Sequence, residues 1–408
     1  MIPGKKRMSD REIFFRHLAL TSFEPPALQF SHAEGIYLIT PQGEKYTDLS
    51  AGYSVNNLGY NHPRIIEAIR QQAGLYLHQT VYGEFVQSPQ VELASRLVSV
   101  LPPQLDCVYL VNSGAEAIEG AMKLAKRFTG RHYIAAFKKA YHGSTHGALS
   151  IMGDEVLKMK YRPLLPGIVF LRFNCFEDLD LITPEVAAVI VEPVQAEAGV
   201  IVPQNQFLKA LRQRCNETGT LLIFDEIQTG MGRTGSLFAF EKYEVVPDVL
   251  CLAKALGGGM PLGAFISSKT IMDTLAHNPA LGHLTTFGGN PVSAAAACAS
   301  FDILKESRLW ESVEEKAHLL TKGLEEYSAI RELRKSGLLI ALDFLTPELA
   351  SRALEFMWAN RLISDRFLFC PSALRLSPPL IIDAKEANSV NQTLHQILKQ
   401  LGDGKTMD

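Results

Sequence analysis

Between about residues 90 and 305 the chain alternates two hydrophobic patterns: short unbroken apolar runs, and longer segments with apolar residues at helical spacing. The runs are Cys107–Val111, Tyr133–Phe137, Val186–Val191, Leu221–Phe224, Val249–Leu252 and Gly263–Ser267. A run such as Val-Ala-Ala-Val-Ile-Val has no polar face, which predicts a strand covered on both sides. Helical spacing predicts helices over Gln90–Val100, Ala115–Arg127, Asn205–Glu217 and Ser293–Lys305, and Pro63 opens another over Arg64–Gln72. Upstream, Gly35–Ile39 followed by Thr40-Pro41-Gln42-Gly43 predicts a hairpin. Past residue 306 longer charged helices alternate with short strands such as Gly337–Phe344. Buried strands alternating with helices predict an α/β fold with a mainly parallel sheet and helices on both faces.

Composition narrows the class. The 408 residues are 47% hydrophobic and 20% charged, enough apolar material for a sizeable core. With 40 Lys+Arg against 43 Asp+Glu, the net charge of -3 disfavours nucleic-acid binding through a basic face. The six cysteines include no CxxC or zinc-ligand spacing, and no apolar run approaches membrane-span length. Met1 to Asp10 lacks the apolar centre of a secretory signal, so a cytoplasmic location with no membrane partner is expected.

In open α/β sheets ligands bind beyond the carboxyl ends of the strands. Five runs are followed there by polar groups: Asn112-Ser113-Gly114-Ala115, Lys138-Lys139-Ala140-Tyr141-His142-Gly143, Glu192, Asp225-Glu226, and Ala253-Lys254. Ser113-Gly114-Ala115 runs into a helix, whose free N–H groups suit a phosphate, although Ser-Gly at that place is also an ordinary cap. Lys254 between a buried strand and Gly257-Gly258-Gly259 is either a nucleophilic amine in apolar surroundings or a lysine reaching the surface. Asp225 could hold a metal, act as a base, pair with a cationic ring nitrogen or cap its turn. His142 and His146 are four apart but form no metal-protease motif, and no metal is expected. Neither a Walker loop nor a G-x-G-x-x-G fingerprint occurs. One cofactor accounts for the anion loop, the lysine, the carboxylate and Tyr141 together: pyridoxal phosphate.

The chain also resembles the class III (ornithine/acetylornithine/4-aminobutyrate type) aminotransferases of the fold-type I pyridoxal phosphate enzymes. The matching segments are Leu49 to Pro63, Asn112 to Ala117, Tyr141-His142-Gly143, Val191 to Gly199, Phe224 to Gly230, Ala253-Lys254-Ala255, Thr285 to Pro291 and Leu374 to Pro379. The resemblance implies a large domain over 60–305 and a small domain assembled from 1–59 and 306–408. It implies that Lys254 forms the Schiff base and shuttles a proton, and that Asp225 pairs with the ring nitrogen. Gln228 would contact the ring hydroxyl, and Ser113, Gly114 and Ala115 the phosphate. Tyr141 would stack on the ring, with His142 and Glu192 beside the cofactor. Thr286 would reach the phosphate of a neighbouring subunit, which implies a homodimer with shared active sites. Arg375 resembles the arginine for the substrate α-carboxylate, Glu197 its switch partner, and Tyr53 would shape the entrance.

The implied reaction moves the amino group of an ω-amino donor, N-acetylornithine or ornithine, to 2-oxoglutarate. Alternatives are a 4-aminobutyrate, lysine or diamine aminotransferase, an aminomutase or decarboxylase, and a non-catalytic binding protein on the same scaffold. One departure stands out. Many relatives place an arginine for a second carboxylate where this chain has Ser144, and Lys138, Lys139 and Arg162 are the candidate replacements.

Overall fold

The protein is described by a computed structural model over residues 8–204 and 206–402. Its centre is a seven-stranded sheet in the order Cys107–Val111, Gly263–Ser267, Val249–Leu252, Leu221–Asp225, Val186–Val191, Tyr133–Phe137, Ile168–Leu171. Gly263–Ser267 runs antiparallel to both neighbours, and every other pairing is parallel. All six predicted runs are strands of this sheet, and Val186–Val191 is buried along its whole length. The unpredicted strand, Ile168–Leu171, lies at the sheet edge and is only half-buried, which is why its pattern is weak.

The predicted helices form at Pro63–Leu75, Ser88–Val98, Gly114–Thr129, Phe207–Thr218 and Pro291–Ser307. Asn205, the expected start of one of them, lies outside the described residues, as do Met1 to Arg7. Gly114–Thr129 packs Ala117, Ile118, Ala121 and Ala125 onto the sheet. Gly120 brings this helix down on Phe265, where a Cβ would stand 2.3 Å from the ring.

Two smaller sheets flank the centre. In one, His32–Glu34, Tyr37–Ile39 and Lys45–Asp48 form the antiparallel meander that contains the expected hairpin. Leu362–Ile363, some three hundred residues later, adds in parallel to Lys45–Asp48. The other is antiparallel, in the order Ile330–Ser336, Leu339–Phe344, Cys370–Leu376, Arg366–Phe367.

Arg233 ties these parts together. Its fully buried guanidinium donates from Nη1 to the carbonyls of Leu338 and Pro378, and from Nη2 to Asn57 Oδ1. Asn57 in turn donates to the Met231 carbonyl at 2.9 Å. Burial pushes the Arg233 guanidinium down to about 9. Arg233→Met fills similar space but leaves three acceptors without donors, so it should lower unfolding stability by about 3 kcal/mol or more. Urea unfolding measures this, and an unchanged midpoint would reject the clamp.

Candidate active site

The five polar strand ends converge. A cavity of about 440 Å³ opens there, lined by Asn112–Ala115, Tyr141–Ser144, Glu192, Asp225, Gln228 and Lys254. Met260, Pro261 and Leu262 close another side, a contribution that sequence reasoning missed because they sit beyond the glycine run as ordinary apolar residues.

Ser113 is the N-cap of the helix Gly114–Thr129, and its Oγ accepts the Glu116 N–H at 3.2 Å. The N–H groups of Gly114 and Ala115 occupy the first turn, where no intrahelical acceptor exists, and both residues line the cavity. Glu116 reaches back to accept from the Asn112 backbone at 2.7 Å, fixing the loop. Gly143 has φ +131, and a Cβ there would stand 2.6 Å from that of Ala115, so only glycine brings the two loops this close.

Asp225 is held at both oxygens. Oδ2 lies 2.7 Å from His142 Nδ1, and Oδ1 accepts the Ile227 N–H at 3.0 Å. A carboxylate only accepts, so Nδ1 carries the proton of that bond. His142 Nε2 is buried with no partner. The neighbouring Glu226 points elsewhere and accepts the N–H groups of Ala239 and Phe240 at the start of a short helix. Glu192 accepts from the Tyr141 and Ala196 N–H groups. Burial, and then the charge of Asp225, hold its carboxyl well above the usual range.

Lys254 has a left-handed backbone, φ +49, a strained conformation for a residue with a side chain. Its Nζ donates to Gln228 Oε1 at 3.0 Å, while Gln228 Nε2 is buried and unpartnered. Burial pushes the Lys254 amine below the usual lysine range and Arg375 acts in the same direction, whereas Glu197, Asp225 and Glu192 oppose it.

Those opposing charges mark a second cluster. Arg375 Nη2 pairs with Glu197 Oε1 at 2.7 Å, and Arg375 Nε with Asp365 Oδ1 at 3.1 Å. The guanidinium carbon lies 4.4 Å from the Phe367 ring centroid and 5.5 Å from that of Tyr53. Ala51, Gly52, Tyr53 and Ser54 all have positive φ, a left-handed turn that presents Tyr53 at this place. Burial alone would weaken the Arg375 charge, but Glu197 and Asp365 reverse that and raise the guanidinium above its ordinary value. Burial first, then Glu197, push Asp365 up to about 6 against the pull of Arg375.

Ser113, Gly114, Ala115, Tyr141, His142, Glu192, Asp225, Gln228 and Lys254 thus line one cavity, with Glu197, Arg375 and Tyr53 grouped in the second cluster. Thr286 is exposed and does not line the cavity of its own chain. Ser144 Oγ lies 3.1 Å from Tyr141 Oη. None of its candidate replacements reaches the cavity: Lys138 and Lys139 are exposed, and Arg162 pairs with Glu155. Asp365 and Phe367 were missed. Phe367 lies in the short strand Arg366–Phe367 and Asp365 directly before it, in a charged surface-like pattern with no motif to flag them.

Residues 21–398 match the family described as Aminotransferase class-III. The chain belongs to this family. It is 37% identical over 381 residues to the acetylornithine aminotransferase of Methanocaldococcus jannaschii, covering 90% of this chain and 92% of that protein. It is also 37% identical to the putrescine aminotransferase of Pectobacterium atrosepticum, over 89% of this chain and 81% of the other. The ornithine aminotransferase of Toxoplasma gondii superposes with a TM-score of 0.89 at 29% identity, covering 97% of this chain and 95% of that one. The fold is therefore that of the fold-type I transferases, and the chain is a pyridoxal phosphate-dependent aminotransferase.

The cavity suits that cofactor on its own chemistry. Two buried donor or acceptor atoms, His142 Nε2 and Gln228 Nε2, lack partners, a helix N-terminus presents free N–H groups, and Lys254 supplies an amine biased toward its neutral form. Among the described residues no group of three or more His, Cys, Asp or Glu could hold a metal ion.

The pH dependence of Lys254 follows from these neighbours. The rate at which cofactor-free protein captures pyridoxal phosphate should track the neutral amine, with a midpoint below the 10.5 of an ordinary lysine. Glu197→Gln removes a charge that favours the ammonium form, so it should move this midpoint lower still. A midpoint that rises in Glu197→Gln would reject the electrostatic link between the two clusters.

Proposed function

We propose that this chain transfers the amino group of an ω-amino donor, N-acetylornithine or ornithine, to 2-oxoglutarate, giving a semialdehyde and glutamate. The observation that carries the reading is the Arg375–Glu197 pair, 2.7 Å apart and buried, in the charge neighbourhood of Lys254. An unpaired buried arginine is costly, and so is an unpaired buried carboxylate. While they pair, the site accepts an amine end that carries no carboxylate. When a carboxylate of 2-oxoglutarate or glutamate takes the guanidinium, Glu197 is displaced. The likeness to acetylornithine aminotransferases supports this donor class.

The residues have separate tasks. Lys254 would hold the cofactor through its amine and would serve as the base that takes and returns the proton at the donor carbon. Asp225, fixed by His142 and the Ile227 N–H, would pair with the ring nitrogen. Gln228, whose Nε2 is buried without a partner, would contact the ring hydroxyl, and Ser113, Gly114 and Ala115 would hold the phosphate. Tyr141 would cover the ring, Glu192 braces the Tyr141 loop by accepting its N–H, and Tyr53 would shape the entrance. Bound pyridoxal phosphate supplies the electron sink that makes the proton removal feasible.

In a cytoplasmic homodimer Thr286 would reach the phosphate held by the neighbouring subunit; its exposure on its own chain leaves it available for that role. The chain divides into a large domain over 60–305 and a small one from 1–59 and 306–408, supported by the pairing of Lys45–Asp48 with Leu362–Ile363.

One observation favours a second donor. With Ser144 turned to Tyr141 and no arginine at that place, a donor with a carboxylate beside its far amine lacks a partner there, whereas a diamine needs none. The putrescine aminotransferase relative is consistent with it. A screen of amine donors against 2-oxoglutarate and pyruvate decides between them. Turnover with N-acetylornithine or ornithine and 2-oxoglutarate is the expected result, and a preference for diamines would replace it with the second reading. Turnover without any oxo acid would reject transamination. Lys254→Ala should lose the visible absorbance band of the cofactor-bound protein, and its retention would reject the role of Lys254.

A further inference from the structure

Arg375 is held by two carboxylates that are anchored in different ways. Asp365 belongs to the same hairpin as Arg375. Its carbonyl accepts the Arg375 N–H at 2.9 Å, and Ser364 Oγ donates to the Arg375 carbonyl at 2.6 Å. On this doubly tied backbone the Asp365 carboxylate accepts from Nε. Glu197 comes from a separate segment, beyond the strand Val186–Val191, and takes only Nη2. Nη1 is buried without a partner.

We propose that Asp365 is the fixed counter-ion of Arg375, a positioning residue that keeps Nε occupied through both half-reactions so that Glu197 alone moves. The inference rests on the reading of Arg375 as the carboxylate-binding group.

Two physical consequences define the role. A guanidinium can meet a carboxylate end-on through Nη1 and Nη2, or side-on through Nε and Nη2. With Nε taken, only the end-on fork remains, and its two members are the unpartnered Nη1 and the Nη2 that Glu197 vacates. The second consequence concerns charge. When Glu197 leaves, a solitary buried cation would remain for as long as the site waits for substrate. Asp365, one hydrogen bond away, keeps that state neutral. The neighbouring ring of Phe367 fixes the plane of the fork but supplies no charge.

The test uses the holoenzyme and compares Asp365→Asn, Asp365→Glu and, as reference, Arg375→Lys. Glutarate binding is measured by calorimetry, and the two half-reactions are followed separately by visible absorbance. Asp365→Asn should weaken glutarate binding and raise the KM for 2-oxoglutarate on the order of tenfold, as for loss of one charge-assisted contact. Its amine half-reaction should stay within about twofold of the parent, since Glu197 still covers the arginine then. Asp365→Glu restores the charge but displaces the fork, so it should recover part of the loss. Equal losses in both half-reactions, or unchanged glutarate binding, would overturn the proposal. If Asp365→Asn does not take up cofactor, Asp365→Glu decides: weakened glutarate binding with an intact amine half-reaction supports the role, and unchanged binding ends it. Arg375→Lys separates the two levels. If it leaves glutarate binding unchanged, the reading of Arg375 fails. If it weakens binding while Asp365→Asn does not, only the role of Asp365 fails.

Discussion

A strand covered on both faces can carry ionisable groups only at its ends, and that constraint builds this site. Val186–Val191 and Leu221–Asp225 are buried throughout, so their first charged residues, Glu192 and Asp225, emerge where the sheet stops. The parallel pairing of the strands Tyr133–Phe137 to Val249–Leu252 puts those stops at one edge. Tyr141, Glu192, Asp225 and Lys254, up to 113 positions apart in the chain, become neighbours because their strands point the same way. The antiparallel strand Gly263–Ser267 does not break the pattern: it passes from the cavity edge back along Cys107–Val111, whose own end delivers Asn112 and Ser113.

The same constraint explains a net charge near zero. The polar groups of the site are met locally: His142 Nδ1 lies against Asp225, and two carboxylates pair with Arg375. The cavity offers an anion the N-terminus of the helix Gly114–Thr129 rather than lysines. Burial then sets the chemistry that solvent would level. It lowers the amine of Lys254 and raises the carboxyls of Glu192 and Asp365. A field spread over the surface would add nothing here, because the groups that matter are shielded from it.

What the sequence discloses follows from the same distinction. Lys254 and Asp225 are legible because a charged residue directly after an unbroken apolar run is conspicuous, and the long helices and central strands are legible from their periodicity. Arg233 is not. Its three acceptors come from residues 57, 338 and 378, and nothing local announces that they meet. The left-handed turn at Ala51–Ser54 is hidden for another reason. Only one of its four residues is glycine, so composition does not mark a backbone that tertiary contacts impose. Asp365 lies in Ser-Asp-Arg-Phe, a sequence that reads as surface. Its burial depends on a hairpin folding over it.

That hairpin also constrains the exchange proposed for Glu197. Leu368 and Phe369 form its turn, between the strand that follows Asp365 and the strand that carries Arg375. The Leu368 N–H donates to Glu197 Oε2 at 3.1 Å, and the Phe369 N–H to the Glu197 carbonyl at 3.0 Å. The backbone of residue 197 is therefore pinned to the same hairpin as its arginine, and only the side chain is free to rotate away. In the proposed exchange, release would break one ion pair and one hydrogen bond, and an incoming carboxylate would remake the ion pair. The exchange leaves a single backbone N–H, that of Leu368, to find a new acceptor, a cost of about 1 to 3 kcal/mol if it stays buried. Water entering beside the exposed Leu368 can supply that acceptor. Under the proposed exchange, the balance between the two states of the site would turn on the substrate carboxylate itself, which is the condition for one cavity to serve two different substrates in turn.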